Sequence, residues 1–134
     1  TKNKGFEAEL KTRIGRNFEL VANFDHIDLD QQLEGTPANQ GSLWGRLRFS
    51  LAGMDGWSAG LGFRHTAAFR NPAAPEVAAT NLVDAMLALD TGHWRFALNG
   101  TNLTDRIYTT PILSRGDAWY GARRNLIASL TYRF

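Results

Sequence analysis

Apolar and polar residues alternate singly along most of this chain, most cleanly at its end, where Leu126, Ala128, Leu130, Tyr132 and Phe134 oppose Asn125, Ser129, Thr131 and Arg133. Successive side chains of a strand point to opposite sides of the pleat, so a period of two predicts a strand with one apolar and one polar face. The pattern recurs about seven times. Over residues 5–13, Phe6, Ala8 and Leu10 alternate with Glu7, Glu9 and Lys11; from Phe18 onward, Phe18, Leu20, Ala22 and Phe24 alternate with Glu19, Asn23 and Asp25. After His26 the parity changes to Ile27 and Leu29. Either a β-bulge or a strand leaving the hydrocarbon layer produces such a change.

A third strand sets Leu43, Leu47, Phe49 and Leu51 against Trp44, Arg46, Arg48 and Ser50, and a fourth sets Trp57, Ala59, Leu61 and Phe63 against Ser58, Gly60, Gly62 and Arg64. A fifth, over 82–90, carries Val83, Ala85, Leu87 and Leu89 on its apolar side, and a sixth alternates Trp94, Phe96 and Leu98 with Arg95, Ala97 and Asn99. The connections alternate as well: short at 14–17, 52–56 and 91–93, long at 31–41, 70–80 and 104–118. Outer-membrane barrels have short turns on one side of the membrane and long loops on the other, a regularity that a soluble Greek-key sandwich does not need. Trp57 and Trp94 directly follow short turns, where amphipathic rings suit a membrane interface. Arginine on a lipid face costs roughly 2–4 kcal/mol near the midplane, so Arg46 and Arg48 orient the third strand with the apolar series toward lipid. The expected fold class is all-β: an antiparallel, up-and-down transmembrane β-barrel segment of about seven strands from a larger barrel.

Composition agrees. The 134 residues are 43% hydrophobic, enough for one domain, and no run approaches the ~20 apolar residues of a membrane-spanning helix. Barrel strands need no such run, since only every second residue meets lipid. The fifteen Lys and Arg are scattered and the net charge is only +2, too little to imply a nucleic-acid partner, and none is expected. Cysteine is absent, removing disulfide frameworks and thiolate chemistry. The opening Thr1-Lys2-Asn3-Lys4 has no apolar signal segment, so the chain is expected to be a piece of a longer protein.

Covalent chemistry finds no support. His26, His65 and His93 share no ligand spacing, and Asp25, Asp28 and Asp30 lack the glycine-centred loop of a calcium site, so no metal is expected. No serine sits in a nucleophile elbow and no glycine-rich phosphate cradle precedes a helix. No catalytic residue and no cofactor are assigned. Asn99-Gly100-Thr101 and Asn102-Leu103-Thr104 match the glycosylation pattern by chance in such a protein.

Four stretches resemble the TonB-dependent siderophore receptors of Gram-negative outer membranes. Gly5-Phe6-Glu7-Ala8-Glu9-Leu10 resembles that family's Gly-apolar-Glu-x-Glu-apolar strand opening, and Leu82-Val83-Asp84-Ala85-Met86 its Val-Asp strand. Asn99 to Tyr108 resembles its Asn-x-x-Asn-Leu-Phe-Asp-x-x-Tyr stretch, with Thr104 where Phe is commoner. Residues from Gly116 to Arg124 and the strand after them resemble the receptor carboxyl end, above all in the ferrichrome and hydroxamate branch. The resemblance implies a barrel of about 22 strands filled by an amino-terminal plug. Residues 1–134 would be its C-terminal wall, with the plug and upstream strands outside this chain. It implies an outer-membrane location in a Gram-negative bacterium and import of a ferric siderophore, energised by the TonB complex through the plug.

For ligand contact the third long connection is the candidate, since Tyr108, Arg115, Trp119 and Tyr120 combine aromatic faces with a cation. Membership of the interfacial belt is the competing role for Trp119 and Tyr120. Arg46, Arg48, Arg64 and Arg95 are expected to face the lumen, or to pair with carboxylates such as Asp84 on neighbouring strands. The remaining partner is outer-membrane lipid, and the isolated piece is expected to aggregate, need detergent or pair through its open edges. The alternatives are a soluble or passive β-barrel binding module, such as a lipocalin-like carrier or a small pore, and a structural anchor without ligand. A carrier would bury Phe6, Phe18, Leu47, Phe63, Phe96 and Tyr132; a receptor wall turns them outward.

Overall fold

The computed structural model describes residues 3–29, 36–71, 74–112 and 117–134, and among them every regular element is a β-strand. These are β1 (Asn3–Ile14), β2 (Phe18–Leu29), β3 (Asn39–Leu51), β4 (Met54–Thr66), β5 (Phe69–Asn71), β6 (Ala74–Val77), β7 (Thr80–Asp90), β8 (Trp94–Thr101), β9 (Thr109–Ile112), β10 (Asp117–Tyr120) and β11 (Asn125–Tyr132). Seven form one antiparallel sheet in the order β1-β2-β3-β4-β7-β8-β11, so each predicted strand is present and pairs with its neighbour in sequence. The other four make two small hairpins, β5–β6 and β9–β10, inside connections expected to be long loops, and β6 touches both strands of the second hairpin. Alternation could not announce these hairpins, because strands of three or four residues are too short to establish a period.

Strand length fits a membrane. β3 and β4 have 13 residues each, about 44 Å at ~3.4 Å per residue. Tilted by ~45°, as barrel strands are, that spans about 31 Å, close to the ~30 Å hydrocarbon core.

Register confirms the parity of each strand. One continuous rung runs Ile14, Phe18, Leu47, Ala59, Leu87, Leu98, Ala128, an apolar residue from every strand of the sheet. The neighbouring rung runs Arg13, Glu19, Arg46, Gly60, Met86, Asn99, Ile127 on the opposite face. Ile127 thus sits on the polar side of a strand that otherwise alternates strictly. The pairing of β1 with β2 is unbroken from Asn3↔Leu29 to Ile14↔Phe18, so the parity change after His26 is not a bulge. The alternative holds: β2 simply continues past the apolar stripe, and Ile27 falls on the polar side. The irregularity in the main sheet lies between Phe49 and Leu51, beside a tight turn whose Ala52 and Gly53 have φ of 54° and 75°.

The apolar face has nothing of its own to cover it. Leu61 is 63% exposed in the middle of the sheet, and Phe6, Leu47, Phe63, Phe96 and Tyr132 are all at least 43% exposed. Among the described residues the buried apolar side chains are Phe69, Val77, Leu82 and Ala88, too few to make a core for the sheet. An exposed apolar surface this continuous is incompatible with a water-soluble monomer. At the short-turn end of this face the rings gather: Trp94 lies 4.6 Å from Tyr132, Tyr132 5.1 Å from Phe134, and Phe49 6.4 Å from Trp57. That is the aromatic girdle expected where a barrel wall leaves the hydrocarbon.

Candidate functional site

The polar face divides into two cavities and a ridge. Near the short turns, Arg46, Arg48, Arg95, Ser50, Ser58 and Asp90 line a cavity of about 400 Å³. Glu19 accepts from both Arg13 (2.7 Å) and Arg48 (3.0 Å), while Asp90 meets Arg133 at 3.3 Å. Arg46 reaches only Ser58 Oγ, at 3.4 Å, and its buried Nε has no hydrogen-bond partner among the described residues. Cations therefore outnumber carboxylates at this end. Toward the long connections, Asn23, Asp25, Gln40, Ser42, Arg64 and Thr66 line a second cavity of about 340 Å³.

Between the cavities lies Trp44, flat against the sheet. Its indole passes over Gly60 and Gly62 of β4, where a Cβ at Gly60 would meet Trp44 Cζ2 at 2.6 Å and one at Gly62 would meet the ring closer still. Two glycines at alternate positions thus exchange side-chain volume for a large ring on the neighbouring strand.

At the other end, an ordered corner ties three strands together. Arg64 grips Asp84 with two nitrogens, Nε at 2.7 Å and Nη2 at 3.1 Å, as the sequence allowed. Asp84 Oδ1 also accepts from the backbone N–H of Asn102 at 2.9 Å. Asn102 is 2% exposed and has a φ of 49°; its side-chain amide donates to the carbonyls of Arg106 and Ala122, and its Oδ1 accepts from the Arg106 N–H. One buried side chain therefore satisfies the backbone of both arms of the connection, at a left-handed position that asparagine tolerates better than most residues. Asp105, at φ 54°, accepts from Arg123 Nε (2.8 Å), Arg123 Nη2 and the Arg124 N–H (3.0 Å). The Arg123 hydrogen bond, aided by that N–H, holds the Asp105 carboxyl well below its ordinary 3.8 and raises Arg123 in turn. The Asn-Leu-Thr-Asp stretch was visible as a resemblance, but its role as a backbone clamp appears only once Arg106 and Ala122 are close in space. With its amide so engaged, Asn102 is no glycan acceptor.

This corner presents the β9–β10 hairpin. Tyr108 lies against Gly121, whose missing side chain makes room for the ring, and the Gly121 N–H donates to the Tyr108 carbonyl at 2.8 Å. Register puts Tyr108 on the same side of the hairpin as Trp119, while Tyr120 projects from the opposite side. Trp119 and Tyr120 are 58% and 79% exposed. Arg115 lies outside the described residues. The four arginines singled out by pattern share the polar face but not one site: Arg46, Arg48 and Arg95 meet at one cavity, Arg64 at the other. The three histidines have separate partners, Asn39, Asn81 and the Arg133 carbonyl, and no cluster of His, Asp or Glu suited to a metal occurs among the described residues.

Residues 1–103 match the family described as TonB dependent receptor-like, beta-barrel. The ferrichrome outer membrane transporter/phage receptor of Escherichia coli (strain K12) is 26% identical over 147 residues, which takes in 98% of this chain and 20% of that protein. Among solved structures, the ferripyoverdine receptor of the Pseudomonas aeruginosa outer membrane, bound to ferripyoverdine, superposes with a TM-score of 0.82 at 27% identity, covering 97% of this chain and 19% of that one. The ferric-catecholate import receptor Fiu of E. coli K12 gives the same TM-score at 19% identity, over 98% of this chain and 21% of its own, and shows the fold alone. The chain spans about 20% of the curated relative it matches.

Proposed function

Because the chain belongs to the TonB-dependent receptor β-barrel family, we propose that it is the C-terminal wall of an outer-membrane receptor that imports a ferric siderophore. The relatives are receptors and transporters, not enzymes, and they reside in Gram-negative outer membranes, as does this chain. The observation that carries the reading is the two-faced sheet: the rung from Ile14 to Ala128 turns to lipid and the rung from Arg13 to Ile127 faces an aqueous bore. A lipocalin-like carrier requires the reverse, with Phe6, Leu47, Phe63 and Phe96 sealed inside, and these residues are exposed. Arg46, Arg48, Arg64 and Arg95 then line the lumen of a wider barrel that upstream strands complete and an amino-terminal plug fills. The TonB complex delivers energy through that plug, and transport itself needs no covalent chemistry.

Ligand capture falls to the long connections. Tyr108 and Trp119 on one side of the β9–β10 hairpin offer stacking surface to an oxygen-rich ferric complex, and Arg115, between Ile112 and Asp117 in the sequence, is the candidate for charge-assisted hydrogen bonds to it. The rigid corner beneath, pinned by Asn102, keeps the ordering cost of capture low. Tryptophan fluorescence of the full-length receptor in detergent tests the proposal, with ferric hydroxamate, pyoverdine-type and catecholate siderophores as titrants. Saturable quenching by one of them is expected, and Trp119→Leu is expected to weaken that binding roughly tenfold, equivalent to ~1.4 kcal/mol. No response to any ferric siderophore sinks the proposal.

A further inference from the structure

Arg46 and Arg95 flank one cavity from opposite sides, and among the described residues neither has a carboxylate partner. The cavity, of about 400 Å³, lies on the bore face at the short-turn end. Its floor is kept low by Ser58 of β4 and Ala88 of β7, direct cross-strand partners that are each 4% exposed. Arg46 and Arg48 of β3 stand on one side of that floor and Arg95 of β8 on the other.

The carboxylates at this end are already engaged. Glu19 Oε1 accepts from Arg13 and Arg48, and Asp55 accepts from Ser50 Oγ. Asp90 is the direct cross-strand partner of Arg95, yet its Oδ2 meets Arg133 and its Oδ1 accepts from the Gly92 N–H at 3.1 Å. Among the described residues Arg46 is left with one neutral hydrogen bond, to Ser58 Oγ at 3.4 Å, and Arg95 with neither a hydrogen bond nor an ion pair, although both are half-buried. Ser58 accepts the bond from Arg46, so its own hydroxyl hydrogen is free to donate into the cavity. Guanidinium groups make their strongest hydrogen bonds to carboxylates and phosphates, and spacing chooses between these. β3 and β8 are three steps apart in the sheet, about 14 Å across it. The rung of Arg46 crosses β7 at Met86 and that of Arg95 at Asp90, so the two positions also differ by about 14 Å along the strands. A single compact phosphate cannot bridge guanidinium groups so placed. Two carboxylates, or one dicarboxylate, can.

We infer that this cavity is a seat for a pair of carboxylates inside the bore, one held by Arg46 together with the Ser58 hydroxyl and the other by Arg95. The same chemistry serves two sources: acidic side chains of the same protein outside residues 1–134, or the carboxylates of a small molecule passing along the bore. The inference rests on the polar face meeting the bore and not on which siderophore is carried.

Two measurements on the full-length receptor in detergent test the seat. In the double variant Arg46→Lys, Arg95→Lys, a carbodiimide condenses each introduced amine with a carboxylate in contact with it, forming an amide with loss of water, and peptide mass spectrometry locates the partner. Amides to Asp or Glu upstream of residue 1 are expected at a yield at least fivefold above that from Asn99→Lys, which stands on the same face outside the cavity. In the wild type, modification of Arg46 and Arg95 by phenylglyoxal is followed with tricarballylate or inorganic phosphate added. Where a small molecule is the source, no upstream amide forms, and tricarballylate slows modification at least fivefold while phosphate does not. Either result supports the seat and names its source. With no upstream amide, an absence of protection overturns the inference, and so does equal protection by phosphate, which marks an unselective cationic patch. Amides that run only to Glu19 or Asp90 count as no upstream amide. Heat-shifted gel migration confirms that the variants are folded, and the phenylglyoxal measurement needs no variant. Ferric siderophore binding by the same wild-type preparation separates the two readings, since its absence removes the transport function and leaves the seat standing.

Discussion

At the scale of single residues, the polar face is governed by exchanges of volume and charge between neighbouring strands. Trp44 is the clearest case, since its indole occupies the space that side chains at Gly60 and Gly62 would need. Gly62→Val forces that ring off the sheet; overpacking of this kind costs about 1–3 kcal/mol. The expected outcome is a lowered denaturant midpoint for the full-length receptor in detergent, partly restored when Trp44→Ala is added. A midpoint unchanged by Gly62→Val contradicts the packing described. In the sequence, Gly60 and Gly62 stood out only as polar-face members of an alternating strand. Nothing in the pattern said that Trp44, eighteen positions from Gly62, lies on top of it, because that depends on β3–β4 register.

At the scale of elements, residues 102–106 and 121–124, at the two ends of the third long connection, form a built corner. Its charge clamp has a definite pH dependence. Asp105 is depressed in the folded state by Arg123, so its contribution is complete above its ordinary 3.8 and is lost as pH falls below that value, while Arg123 stays charged throughout. After correction for intrinsic rates, hydrogen exchange over residues 102–106 and 121–124 is expected to quicken several-fold between pH 6 and pH 3, ahead of the strands. Asp105→Asn is expected to produce the faster exchange at pH 6 and to flatten the dependence. Identical protection in the variant and the wild type at pH 6 rules out the clamp. Alternation located the strands on either side but was silent here, since a corner held by Asn102 to the carbonyls of Arg106 and Ala122 has no period.

At the scale of the whole molecule, the seven-stranded sheet leaves β1 and β11 without partner strands among the described residues and exposes a lipid-facing surface. An odd number of antiparallel strands sets those two edges parallel to each other, so the sheet cannot close on itself in the up-and-down manner. Expressed alone, the 134-residue chain is expected to be insoluble without detergent and to associate through its edges. A monodisperse, detergent-free monomer with a single cooperative unfolding transition, seen by analytical ultracentrifugation and circular dichroism, refutes this.

The seven strands of the main sheet, their parity and the side of Arg46, Arg48, Arg64 and Arg95 were determined by the sequence alone, because a two-residue period is a local property and an arginine cannot pay for a place in hydrocarbon. The polar cavities, the seat of Trp44 and the Asn102 corner were decided only by tertiary structure. Each is made of residues from different strands, and which residue faces which across a sheet is set by register, a quantity that no single strand contains.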